Sequence, residues 1–84
     1  MERQVRVNHA EGLHARPAAD FVKAASSFKS RVDLVSGIRE ANAKSILGLL
    51  KLGVKSGQVV ILRVEGPDEE EAIQVLSGLL EQGA

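Results

Sequence analysis

Cysteine is absent from the 84 residues, which removes disulfides, thiolate chemistry and cysteine-based zinc sites. Trp and Tyr are absent and Phe occurs twice, so almost nothing is available on which nucleic-acid bases could stack. No apolar run is long enough to span a bilayer, and Met1-Glu2-Arg3-Gln4 lacks the apolar stretch of a secretory leader. The expected setting is therefore cytoplasmic, with no direct membrane insertion. What remains is a chain with 44% hydrophobic and 26% charged residues, a balance that favours a folded core over disorder. The length suits one domain, residues 1–84.

Charge is balanced in total and uneven in distribution. Residues 1–63 hold all 11 Lys and Arg with five acids, a net +6, whereas residues 64–84 hold six acids and neither Lys nor Arg, a net −6. A directional interaction surface is one reading. The other is an acidic helix start, because Asp68–Glu71 would complement the positive end of a helix.

Periodicity predicts the order β-α-β-β-α-β-α. Residues 3–8 alternate, with Arg3, Val5 and Val7 on one face. Residues 15–28 form a helical pattern with Ala15, Ala18, Ala19, Val22 and Ala25 inward and Pro17 in the first turn. Residues 31–35 place Val32 and Leu34 inward, Ser36-Gly37 marks a tight turn, and residues 38–43 pair back as a hairpin. Residues 45–52 form a short helix closed by Gly53, residues 59–64 an interior strand apolar on both faces, and Asp68 the N-cap of a final helix. That helix buries Ala72, Ile73, Leu76, Leu79 and Leu80 and frays at Gln82-Gly83-Ala84. The fold class is α+β: two layers, one antiparallel or mixed sheet with helices on one side.

The stretch Gly12-Leu13-His14-Ala15-Arg16-Pro17-Ala18-Ala19 carries the chemistry. Pro17 belongs in a first helical turn, which puts His14 at or just before the N-cap. Unpartnered amides and the positive helix end converge near the imidazole, and Arg16 adds a permanent cation. This is an anion site containing a nucleophile. A phosphoryl group on His14 would gain charge-assisted hydrogen bonds from Arg16 and backbone amides, with no metal and no cofactor. The competing reading makes His14 a mere helix cap and Arg16 a solvated charge.

This stretch resembles the active-site segment of the HPr family, phosphocarriers of the phosphoenolpyruvate:sugar phosphotransferase system. The resemblance extends through Phe21-Val22-Lys23, Phe28, residues 43–50, Leu52-Gly53 and Gly66-Pro67-Asp68-Glu69. It implies an open-faced sandwich of four antiparallel strands under three helices. It implies a carrier, not an enzyme, that takes a phosphoryl group from enzyme I, ultimately from phosphoenolpyruvate, and passes it to enzyme II components such as IIA. His14 matches the histidine phosphorylated on Nδ1, and Ala15 and Arg16 match the phosphate-binding positions. Ser45 matches a serine modified by an HPr kinase/phosphorylase in some bacteria. Lys23, Leu47 and Leu50 fall on the surface that meets partners, and the implied working unit is a monomer. Glu11 departs from the small residue common there; an acid three residues from His14 bears on the transfer rate.

Other features are weaker. His9, Glu11 and His14 fit no metal-ligand template, and His9 reads as an ordinary surface residue at a strand end. Ile46, Leu49 and Leu52 make one anchoring stripe, leaving Leu47 and Leu50 as apolar surplus that fits docking or a more widely buried helix. Ser45 is also a good N-cap. Residues 48–56 miss a phosphate loop, because Val54 interrupts the Gly-Lys pair and a helix precedes. Two alternatives stand: a regulatory paralogue in a nitrogen-related or incomplete pathway, and a small nucleic-acid-binding module that uses the basic front but lacks a Gly-x-x-Gly clamp.

Overall fold

Alternation along the strands builds a sheet with one greasy face. The computed structural model describes residues 1–82. The elements are β1 (Glu2–Arg6), α1 (Ala15–Ser26), β2 (Arg31–Ser36), β3 (Arg39–Asn42), α2 (Ile46–Leu52), β4 (Val59–Glu65) and α3 (Glu69–Glu81). The sheet order is β1-β4-β2-β3 and every neighbouring pair is antiparallel. The order of elements, the four-stranded antiparallel sheet and the three helices are those the sequence implies.

On β4, Val60, Leu62 and Val64 are buried, while Val59, Ile61 and Arg63 keep solvent contact. Register carries this face across the sheet: Leu62 lies beside Leu34, Val64 beside Val32, and Val60 beside Val5. Each of these side chains stabilises the fold by about 1.5–3 kcal/mol through burial. β4 is interior to the sheet, as expected, because it pairs with β1 on one side and β2 on the other; helices cover only one face, so apolar burial is one-sided. The opposite face is mixed: Val35, Val59 and Ile61 lie there among polar side chains, and Arg63 pairs with Glu2 at 2.9 Å and Glu40 at 3.1 Å.

Several boundaries and faces differ from expectation. β1 spans Glu2–Arg6, and Arg3, though on the core face with Val5, stays exposed at the sheet edge and donates to Ser77 Oγ at 3.3 Å. α1 ends at Ser26 and buries Pro17, Ala18, Phe21 and Ala25; Ala15 and Ala19 are exposed and Val22 is half-buried. The true stripe is rotated because Phe21 offers far more apolar area than an alanine. β3 begins at Arg39, not at residue 38: the hairpin turn is centred on Gly37, with φ of 62°, and Ile38, which is fully exposed.

α3 also differs. Its N-cap residue is Asp68, yet the carboxylate makes no cap hydrogen bond. It accepts instead from Lys29 N, Ser30 N and Ser30 Oγ. Glu69 Oε1 reaches back to accept from Gly66 N at 3.1 Å. Leu79 is half-buried and Ser77 takes a place in the buried stripe, its hydroxyl donating to Ile73 O. The predicted fraying at Gln82-Gly83-Ala84 lies outside the described residues beyond Gln82.

Candidate functional site

The turn before α1 is built by main-chain bonds. Gly12 N donates to His9 O at 2.9 Å, and Leu13 N donates to Val54 O at 3.0 Å. Gly12 has φ of +72°, and a Cβ there would stand 2.2 Å from Val54 O. Only glycine fits both the left-handed backbone and the close approach. Leu13 then plugs into the core.

His14 follows as the N-cap of α1, with extended backbone (φ −80°, ψ −175°). Its carbonyl accepts from Ala18 N at 3.0 Å, but its ring makes no cap hydrogen bond. Helix closure is thus done by the main chain and the imidazole stays exposed. Pro17 has no amide, so the first-turn N–H groups facing outward belong to Ala15 and Arg16, neither with an intrahelical acceptor. Arg16 is exposed and makes no ion pair among the described residues.

His14 and Arg16 share an open cleft of about 520 Å³ with His9, Ala10, Glu11, Pro17 and Asp20. The structure therefore brings His14, Arg16 and Glu11 together as the sequence suggests. Asp20 was not anticipated; its position one helical turn beyond Arg16 was the available signal. His9 is not an ordinary surface residue. It is half-buried and its Nε2 lies 2.8 Å from Leu79 O on α3, a long-range contact with no local sequence signal. Among the described residues no group of three or more metal-ligating side chains converges.

Ser45, Leu47 and Leu50 lie on α2. Ser45 is its N-cap and Oγ accepts from Gly48 N at 3.1 Å, while Gly53 closes the helix in the left-handed conformation. Leu49 and Leu52 are buried, but Ile46 is 42% exposed and joins Leu47 (60%) and Leu50 (38%) in an exposed apolar patch. The expected Ile46/Leu49/Leu52 stripe is therefore wrong at Ile46, because a two-turn helix can sink only one edge into the core. Ser45 borders a second depression with Arg39 and Lys51. Lys44 is committed elsewhere, donating Nζ–H to Phe28 O at 2.9 Å. Lys23 is exposed in the last turn of α1, which packs on α2.

An exposed histidine beside an arginine at a helix start, on an open-faced α+β sandwich, is an arrangement that fits the phosphocarrier class of protein. Residues 1–82 match the family model described as the PTS HPr component phosphorylation site, and the chain belongs to this HPr family. It is 42% identical to phosphocarrier protein HPr of Vibrio cholerae, over 96% of this chain and 95% of that one. It is 43% identical to the HPr-like protein Crh of Halalkalibacterium halodurans, over 98% of both. The crystal structure of HPr from Thermoanaerobacter tengcongensis superposes with a TM-score of 0.92 at 48% identity, covering 96% of this chain and 91% of that one. An HPr dimer from the same organism matches with a TM-score of 0.76 at 54% identity, covering 83% and 80%. No helix among the described residues is long and apolar enough to cross a membrane.

Proposed function

We propose that His14 is the phosphoryl acceptor of this phosphotransferase-system carrier and that residues 1–84 work as one cytoplasmic domain. The observation that carries the reading is the uncapped, exposed imidazole at the N-cap of α1, in a cleft shared with an unpaired Arg16. Phosphoenolpyruvate is the ultimate source and enzyme I the immediate donor. In the transfer, the Nδ1 lone pair of His14 forms the N–P bond as the bond from phosphorus to the donor atom breaks. The proton of the ring remains on Nε2. The reverse step passes the group to an enzyme IIA component.

The amides of Ala15 and Arg16, the positive end of α1 and the Arg16 guanidinium receive the phosphoryl oxygens. Machinery that breaks the donor bond resides on the partners, so the chain is a substrate of enzymes and not itself one. Ile46, Leu47 and Leu50 form the apolar part of the docking face, and Lys23 adds a cation. The working unit is the monomer, which leaves this face free. Ser45 is the site for a regulatory kinase where one exists.

The test is incubation with phosphoenolpyruvate and enzyme I, followed by intact mass before and after acid. One acid-labile phosphoryl group on the unaltered protein and none on His14→Ala is the expected result. Full uptake by His14→Ala would place the acceptor elsewhere.

A further inference from the structure

Beyond Gly78 O, which the C-cap amide of Gln82 satisfies, α3 ends with three carbonyls, those of Leu79, Leu80 and Glu81, that no amide within the helix can satisfy. Among the described residues, two in the loop after β1 supply a donor to each of the three. Asn8 N donates to Leu80 O at 3.0 Å, Asn8 Nδ2 donates to Glu81 O at 3.0 Å, and His9 Nε2 lies 2.8 Å from Leu79 O. A carbonyl oxygen only accepts, so His9 must carry its hydrogen on Nε2. The His9 carbonyl meanwhile closes the turn to Gly12, and Leu13 is held by Val54 O. The turn that presents His14 is therefore fastened at both ends, and its upstream fastening is a side chain that also lines the His14 cleft.

We propose that His9 is a positioning residue for the phosphoryl acceptor: its Nε2–H bond to Leu79 O locks the turn carrying His14 onto the C-terminal end of α3. The inference rests on the reading of His14 as acceptor and adds a second histidine that never bears the phosphoryl group. The donor exists in the neutral Nε2–H tautomer and in the imidazolium, so protonation of His9 does not release the clamp. Loss of the donor removes the side-chain bond to Leu79 O and frees the turn to sample orientations that displace His14 from the start of α1 and from the cleft it shares with Arg16. Misplacement of reacting groups penalises the chemical step more than binding.

His9→Leu removes the donor at similar size, and His9→Gln restores an N–H on a side chain of comparable reach. Both would be charged from enzyme I, at a temperature well below their thermal midpoints. The readouts are kcat and KM for uptake and the first-order loss of phosphoryl from isolated charged protein. His9→Leu should charge to full stoichiometry, with kcat lowered or hydrolysis accelerated roughly threefold or more and KM unchanged. His9→Gln should recover most of that loss. Nitrogen chemical shifts of the unaltered protein should show the Nε2–H form of His9. Unaltered kinetics in His9→Leu, or an Nδ1–H tautomer, would overturn the proposal. If His9→Leu does not fold, the tautomer and the kinetics of His9→Gln decide it, near-normal rates supporting and slowed rates refuting. Failure of the unaltered protein to charge would instead sink the acceptor reading.

Discussion

Asp68 and Ser30 are joined by a pair of hydrogen bonds across the molecule: one carboxylate oxygen of Asp68 accepts from both the amide and the hydroxyl of Ser30. The other oxygen accepts from Lys29 N at 2.8 Å. The Ser30 hydroxyl, followed by the Lys29 amide, holds the Asp68 carboxyl down at about 2, below its ordinary 3.8. A depressed carboxyl contributes stability that is present above the unfolded value and fades as pH falls through the folded one. The thermal midpoint should therefore fall between about pH 4 and pH 2 in part through this group. Asp68→Asn should lower the midpoint at pH 7 and lose less on acidification. Parallel melting curves for the two proteins would contradict this.

Arg16→Ala should leave stability within about 0.5 kcal/mol of the parent, because the side chain is exposed and unpaired. Phosphotransfer should slow, or the phosphohistidine hydrolyse faster, which is the expected outcome of the role proposed for the guanidinium as a contact of the phosphorylated state. Thermal melts beside hydrolysis rates check both halves.

Leu47→Asp should keep the fold and raise KM for enzyme I by roughly fivefold or more. Leu49→Ala, two residues away and fully buried, should cost about 2–5 kcal/mol. Unfolding by Leu47→Asp would show that the patch is core and not a docking face.

Ser45→Ala should cost about 1 kcal/mol through the lost cap. Ser45→Asp keeps an acceptor at the helix start, and should mainly weaken enzyme I-dependent charging by setting an anion beside Leu47. Arg39 and Lys51 border the same depression and should soften that effect, so each neutralised in turn should deepen the loss. Equal charging rates for Ser45→Asp and the parent would refute the docking half.

Gly12→Ala should destabilise by more than about 1 kcal/mol, because an L side chain at this positive φ is strained and its Cβ would meet Val54 O. Charging of His14 should fall with it. Chemical denaturation and the charging assay report the two effects.

Local chemistry made much of this molecule readable. Strand alternation set Val5, Val32 and Leu34, because a period of two leaves one choice of face; β4 is apolar at Val59, Val60, Ile61, Leu62 and Val64, and only the helices packed on one side decide that Val60, Leu62 and Val64 are the buried set. Ser45 and Gly53 bracket α2 because cap preferences act within one turn. His14-Ala15-Arg16-Pro17 placed the start of α1 and the cleft proposed as the acceptor site for the same reason: the missing amide and the cation act over a few residues. Other features depended on partners distant in sequence. Asp68 was read as a cap because its neighbours favour a helix start, yet Ser30 and Lys29 arrive from 38 and 39 residues away and take the carboxylate. His9 was read as surface for want of a local role, and the unsatisfied end of α3, 70 residues on, made it a donor. Ile46 matched a helical stripe, but only packing against the rest of the core decides how deeply a two-turn helix sinks. Periodicity and capping are encoded by residues a few positions apart. The partners of a carboxylate such as Asp68 and of helix-end carbonyls depend on what the completed fold brings within hydrogen-bond reach.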